Sequence, residues 1–148
     1  MNLTDLTTAI QKTSALTGRY AALREIFMGF HAQIESQLQA AQYEHWNIQV
    51  SELTELNDFA IFIAGREIIF NFDIETGNAG SHLGLITAFV ADDHFDGLPN
   101  VIASFSFDGG GIARDLSGLE DLISLKVDLH CLNIALDICL KAFEEIEE

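Results

Sequence analysis

The sequence predicts an α+β domain: a long N-terminal helix, an antiparallel sheet of four to five strands in a meander, and a long C-terminal helix packed on one sheet face. Three observations predict it. Apolar residues recur every three and four positions at both ends of the chain. The period falls to two between those ends. The connections between the alternating segments are too short for crossover helices, which leaves antiparallel pairing of neighbours. The chain of 148 residues fits a single domain spanning 1–148, long enough to bury roughly two-thirds of its unfolded surface.

The first helix is predicted over 4–43. Leu16, Tyr20, Leu23, Phe27, Phe30, Ile34, Leu38 and Ala41 fall on one stripe, which Leu6 and Ile10 extend towards the N-terminus. Thr17 and Gly18 mark the expected kink, or the junction of two collinear helices, because Gly in a helix interior costs about 1 kcal/mol relative to Ala. Gln33, Gln37, Gln39 and Gln42 give the helix an uncharged polar side, the pattern of a solvated face or of a homodimer or partner contact.

Strands follow. An irregular one is expected over 48–53 and another over 59–63, which turns through Ala64, Gly65 and Arg66 into a third. In that third strand Ile68, Phe70, Phe72 and Ile74 alternate with Glu67, Ile69, Asn71, Asp73 and Glu75, so one face is buried and the other is acidic. Residues 83–90 are apolar in both registers apart from Gly84 and Thr87, as befits a central strand. Val101, Ala103, Phe105 and Phe107 alternate with Ile102, Ser104 and Ser106, and the turn residues of 76–80 and 94–100 separate these strands. The sheet face away from the core should therefore carry Glu67, Asn71, Asp73, Glu75, Ser104 and Ser106.

Ser117 and Glu120 have capping-box spacing, which predicts a helix beginning near Gly118. Leu122, Leu125, Leu129, Leu132, Leu136, Leu140 and Phe143 form one stripe on it, with Ile123, Val127, Ile134 and Ile138 beside them. Glu144, Glu145, Glu147 and Glu148 crowd its C-terminal end, where the helix dipole disfavours negative charge. The last turn should fray unless something basic binds it. Cys131 and Cys139, eight apart on this helix, lie roughly 12 Å from one another along the axis, too far for a disulfide. They read as reduced core thiols.

The charge is one-sided. From Met1 to Tyr43, Asp5, Glu25 and Glu35 balance Lys12, Arg19 and Arg24, so the formal net charge of −16 lies entirely after Tyr43. There twenty Asp and Glu face Arg66, Arg114, Lys126 and Lys141. Such a field repels nucleic acid and anionic membrane, and it accelerates association with a basic protein partner. With 49% hydrophobic residues and eleven Phe, the chain is far too apolar for an acidic disordered segment. No membrane-length apolar run and no secretory signal is visible after Met1, so a cytoplasmic location is expected.

Two segments carry candidate chemistry. Asp92, Asp93, His94 and Asp96 gather three carboxylates and an imidazole, the donor types of a divalent-cation site or of a general acid and base. Their spacing does not match an EF-hand loop, and a solvated polar turn is the expected reading. Asp108-Gly-Gly-Gly111 offers backbone amides of the kind that cradle phosphate, but it lacks the Lys and Ser/Thr of a P-loop and reads as a turn. The five His show no metal-ligand spacing, and His130 reads as a satisfied, partly buried imidazole. No catalytic residue, metal ligand or cofactor is therefore assigned, and the expected answer is no enzyme.

The function expected from these features is that of a non-catalytic acidic binding protein that neutralises a basic toxin or effector, in the manner of a bacterial toxin-immunity protein. Its partner-binding residues would be Glu67, Asp73 and Glu75 on the sheet, Asp92, Asp93 and Asp96 in their loop, and Glu144 and Glu145 at the tail. In size, acidity and α/β content the chain also resembles type III secretion chaperones, which implies chaperoning of a secreted effector. Those proteins place a helix within the strand order, and no helical pattern interrupts 59–107. A nucleic-acid mimic that blocks a DNA-binding protein and a small enzyme at 92–96 are the remaining alternatives.

Overall fold

A computed structural model describes residues 3–40, 47–76, 81–91, 100–114, 123–126 and 128–144, with the backbone alone for residues 3, 4, 128 and 129. The described elements in chain order are α1 (Leu3–Leu38), β1 (Gln49–Val50), β2 (Asp58–Ile63), β3 (Arg66–Thr76), β4 (His82–Val90), β5 (Asn100–Phe107), β6 (Ile112–Arg114), β7 (Ile123–Ser124) and α2 (Asp128–Glu144). The class is α+β as expected. The strands pair in sequence order into one seven-stranded antiparallel sheet, two or three strands more than the four to five expected.

The additional strands, β6 and β7, are three and two residues long, too short for alternation to register. Ile123, expected on the last helix, instead pairs with Ala113, and α2 begins at Asp128 rather than near Gly118. The Ser117 and Glu120 box lies outside the described residues. The turn between β2 and β3 forms where expected: Ala64 and Gly65 take φ of 49° and 81°, the left-handed pair that a two-residue hairpin requires, and Ile63 faces Arg66 across it. β4, with three strands on either side, is central.

Both helices lie on the same sheet face. The α1 stripe of Leu23, Phe27, Phe30 and Ile34 is completely buried there. Phe59 and Phe70 stack with centroids 5.3 Å apart, Phe27 stacks on Phe72 at 5.4 Å, and Phe30 meets Phe105 edge-on at 6.0 Å. Leu132, Ile134, Ile138 and both cysteines close the core from α2. Against expectation, Leu140 is exposed, and Leu136 is only partly buried. The Cys131 thiol is shared between Gln33 Oε1, at 2.7 Å, and the Leu125 carbonyl, at 3.1 Å. Gln33 thus joins the two helices and does not belong to an outward polar face.

α1 is one continuous helix through Thr17 and Gly18. Its N-terminal half departs from expectation, because Leu6, Ile10 and Leu16 on the apolar stripe are 46%, 59% and 42% exposed. The helix is longer than the layer beneath it: residues 5–19 are all exposed, and burial begins only with Tyr20 and Leu23.

A second departure has a local cause. The β4–β5 register slips between Ala88 and Phe89, which face Ala103 and Val101 and leave Ile102 as an extra residue. A bulge of this kind reverses the side-chain alternation beyond it. Val101, expected inside, is therefore exposed, while Ile102 packs against the core.

Candidate functional site

The sheet face opposite the helices carries the acidic positions of β3, with Asp73 exposed and Glu67 and Glu75 half-buried. Glu67, Asp73 and Glu75 alternate with the buried Ile68, Phe70 and Phe72, as the sequence predicts. Asp73 and Glu75 are two residues apart on this face, and Glu67 stands roughly 20 Å from Asp73 at 3.3 Å per residue. The three expected site residues on β3 are thus one pair and one outlier. The Asp73 carboxylate accepts from the Ile74 amide at 2.8 Å.

Two rows lie between Glu67 and Asp73, the first apolar and the second polar. Cross-strand register aligns Ala60, Ile69, Phe89 and Val101 in one row, with Phe62 beside Glu67 in the next. Asp73 and Glu75 face Leu85 and Leu83 of β4. The following row, Asp58, Asn71, Thr87 and Ser104, is polar. Ser104 is exposed, as expected, but Ser106 is 4% exposed. The sequence reading missed the apolar row although β4 signalled it: a strand apolar in both registers must present Leu83, Leu85 and Phe89 on its outer face.

The four arginines are turned to structural use. Arg24 Nε donates to Asn57 Oδ1 at 2.6 Å. Arg66 donates to the Ala142 carbonyl in the last turn of α2 and lies 5.1 Å from the Phe143 ring centroid. Arg66 thus joins Lys141 as a basic group at the last described turn of α2. Arg19 reaches the His82 carbonyl at 3.4 Å, and Arg114 pairs with Asp108 at 3.8 Å. Meanwhile Glu52, Glu55, Asp73 and Glu144 are exposed to solvent. Asp92, Asp93, His94, Asp96 and Glu145 lie outside the described residues.

Other groups with chemical potential are engaged locally. Asp108 accepts from the amides of Gly110, at 2.9 Å, and Ile112, at 3.1 Å, so its own carboxylate occupies the donors that a phosphate would need. His31 Nε2 donates to the Ser51 carbonyl at 2.8 Å, and its ring packs 4.8 Å from that of Phe59. His130 Nδ1 donates to the Ser124 carbonyl at 3.2 Å. Burial pushes the Cys139 thiol up to about 12, which keeps it protonated and unreactive at neutral pH. Among the described residues, no group of three His, Cys, Asp or Glu is placed to hold a metal ion.

A shallow groove of about 580 Å³ opens where α1 leaves the sheet, lined by Lys12, Ala15, Leu16, Arg19, Ser81 and His82. It gathers two of the chain's seven basic residues, Lys12 and Arg19. No described helix is long and apolar enough to cross a membrane. No protein-family model matches the chain, and no curated protein or solved structure is significantly similar to it.

Proposed function

We propose that this protein is a non-catalytic acidic binder that neutralises a basic protein partner, in the manner of a bacterial toxin-immunity protein. One observation carries the reading: Arg24 and Arg66 are drawn into hydrogen bonds within the chain, while Asp73 and Glu75 face outward on the sheet side that neither helix covers. The chain as a whole carries a net charge of −16, which attracts a basic partner at long range. Asp73 and Glu75 flank Leu83 and Leu85, a mixture of charge and apolar surface suited to a protein partner.

The test begins with recovery of the partner from the native host and measurement of binding kinetics between 50 and 500 mM salt. The association rate should fall about tenfold or more over that range while dissociation changes far less. Reversing Asp73 and Glu75 to Lys should weaken binding several-fold with the fold intact, and reversing Glu67 alone should do less. A salt-insensitive association rate, or a recovered partner with no basic surface, would remove the argument.

A further inference from the structure

The apolar stripe of α1 does not end where the sheet ends. Leu6, Ala9, Thr13, Leu16, Tyr20, Leu23, Phe27 and Phe30 alternate by three and four residues, the repeat of a helix that packs along its length on another helix. From Tyr20 onward this stripe is covered by the sheet and α2, whereas Leu6 and Leu16 are 46% and 42% exposed. The uncovered arm contains Thr7, Thr8, Thr13, Thr17 and Gly18, all poor helix formers. A lone helix of that length and composition is marginal in water. Its helical state calls for a partner along the stripe.

Charge identifies the occupant. The arm itself carries Asp5, Lys12 and Arg19, a net charge of +1, and the rest of the chain carries −17, so the arm offers no attraction to a basic partner. It is, however, the surface on which two copies of this acidic chain meet with least repulsion. Asp5, Lys12 and Arg19 recur every seven residues along one flank of the stripe, acidic at the tip and basic at the root. Antiparallel pairing sets Leu6 against the second copy's Leu16, Ala9 against its Thr13, and Asp5 near its Arg19 at both ends, two opposite-charge pairs against the one like pair of Lys12 with its copy. Parallel pairing instead puts like charges side by side and brings the two acidic bodies together. In the antiparallel arrangement the bodies lie at opposite ends of arms roughly 22 Å long, beyond the screening length of about 8 Å at physiological salt. The groove lined by Lys12, Leu16 and Arg19 receives the acidic first turn of the incoming arm.

We propose that residues 5–19 of α1 form a homodimerisation arm that pairs antiparallel with the same arm of a second copy. The contact is small, so the dimer is weak, with a dissociation constant of about 10–100 µM. Sedimentation equilibrium of the full chain between 5 and 300 µM should show the mass rising from 16.3 kDa towards twice that value. Leu6→Gln with Leu16→Gln should hold the protein monomeric across the range. Leu56→Gln, at a 78% exposed site on the body, should leave association unchanged. Orientation is read by crosslinking: a mixture of Leu6→Cys and Leu16→Cys chains should form the mixed disulfide, and the Leu6→Cys chain alone should not. A wild-type monomer at 300 µM, a dimer indifferent to the double Gln variant, or efficient crosslinking of Leu6→Cys to itself would each overturn the proposal.

Discussion

Arg24 and Asn57 are joined across the seam between α1 and the sheet, guanidinium Nε to amide Oδ1 at 2.6 Å. The same Asn57 side chain donates to the Tyr20 hydroxyl, and its backbone carbonyl accepts from the Phe72 amide at 2.9 Å. Tyr20 in turn lies 5.7 Å from the Phe72 ring. One residue at φ 60° therefore ties the helix to β3, in a conformation that Asn tolerates better than most side chains.

Asn57→Ala should cost roughly 1–3 kcal/mol, because it leaves the partly buried Arg24 and Tyr20 groups without a partner and places Ala in the left-handed region. Asn57→Gly accepts that backbone freely and should lose less. Denaturant unfolding of both variants measures the difference. Equal losses would mean that the hydrogen bonds, and not the backbone, carry the whole effect.

Gly84 in the central strand lies beneath the Phe107 ring so closely that a Cβ built there would sit 2.2 Å from Phe107 Cζ. Phe107 is completely buried and has no room to yield. Gly84→Ala should therefore destabilise by roughly 1–3 kcal/mol despite the usual preference for Ala over Gly in a strand. In a double-mutant cycle with Phe107→Leu, the two changes should couple by about 0.5 kcal/mol or more.

Arg66→Ala removes the hydrogen bond to the Ala142 carbonyl and the cation over the Phe143 ring. The expected loss is about 1–2 kcal/mol, with hydrogen exchange accelerated in the last turn of α2 and little changed in β3. Arg66→Lys keeps the charge without the planar fork and should recover only part of the loss.

Cys139 should resist alkylation in the folded protein and react once the chain is unfolded, because burial raises its thiol to about 12. The stability consequence follows from the unfolded thiol ionising first, near its ordinary value of 9.0, while the folded one stays protonated. Stability from this group is full below pH 9 and declines as pH rises towards 12. The difference in unfolding free energy between the wild type and Cys139→Ala should accordingly narrow between pH 8 and pH 11.

Long periodic segments were legible in the sequence, and short or interrupted ones were not. The stripe from Leu23 to Ile34 and the alternation from Ile68 to Phe72 lie where their periods place them, since each repeats often enough to exceed the noise of single residues. Val101 was misplaced because alternation assumes an unbroken ladder, and the extra residue at Ile102 breaks it. Leu6, Ile10 and Leu16 share the apolar stripe yet lie exposed, because periodicity reports which side of a helix is apolar and says nothing about where the opposing surface stops. The acidic pair Asp73 and Glu75 was legible, while the apolar row between it and Glu67 required the cross-strand register, which no local pattern contains.

The meander order has a consequence in time. Each strand pairs with its immediate predecessor in the chain, so the sheet can grow by successive short loop closures as the polypeptide is made. α1 emerges from synthesis before the strands that cover it and must wait, its phenylalanines uncovered, until β2 and β3 supply a surface. The joint between Gln33 and Cys131 spans 98 residues of sequence, and it closes last. Pulse-labelled exchange should therefore protect the β3 and β4 amides before those of α2, and nascent chains that end ahead of Asp128 should expose one flank of α1 to chaperones until the final helix arrives.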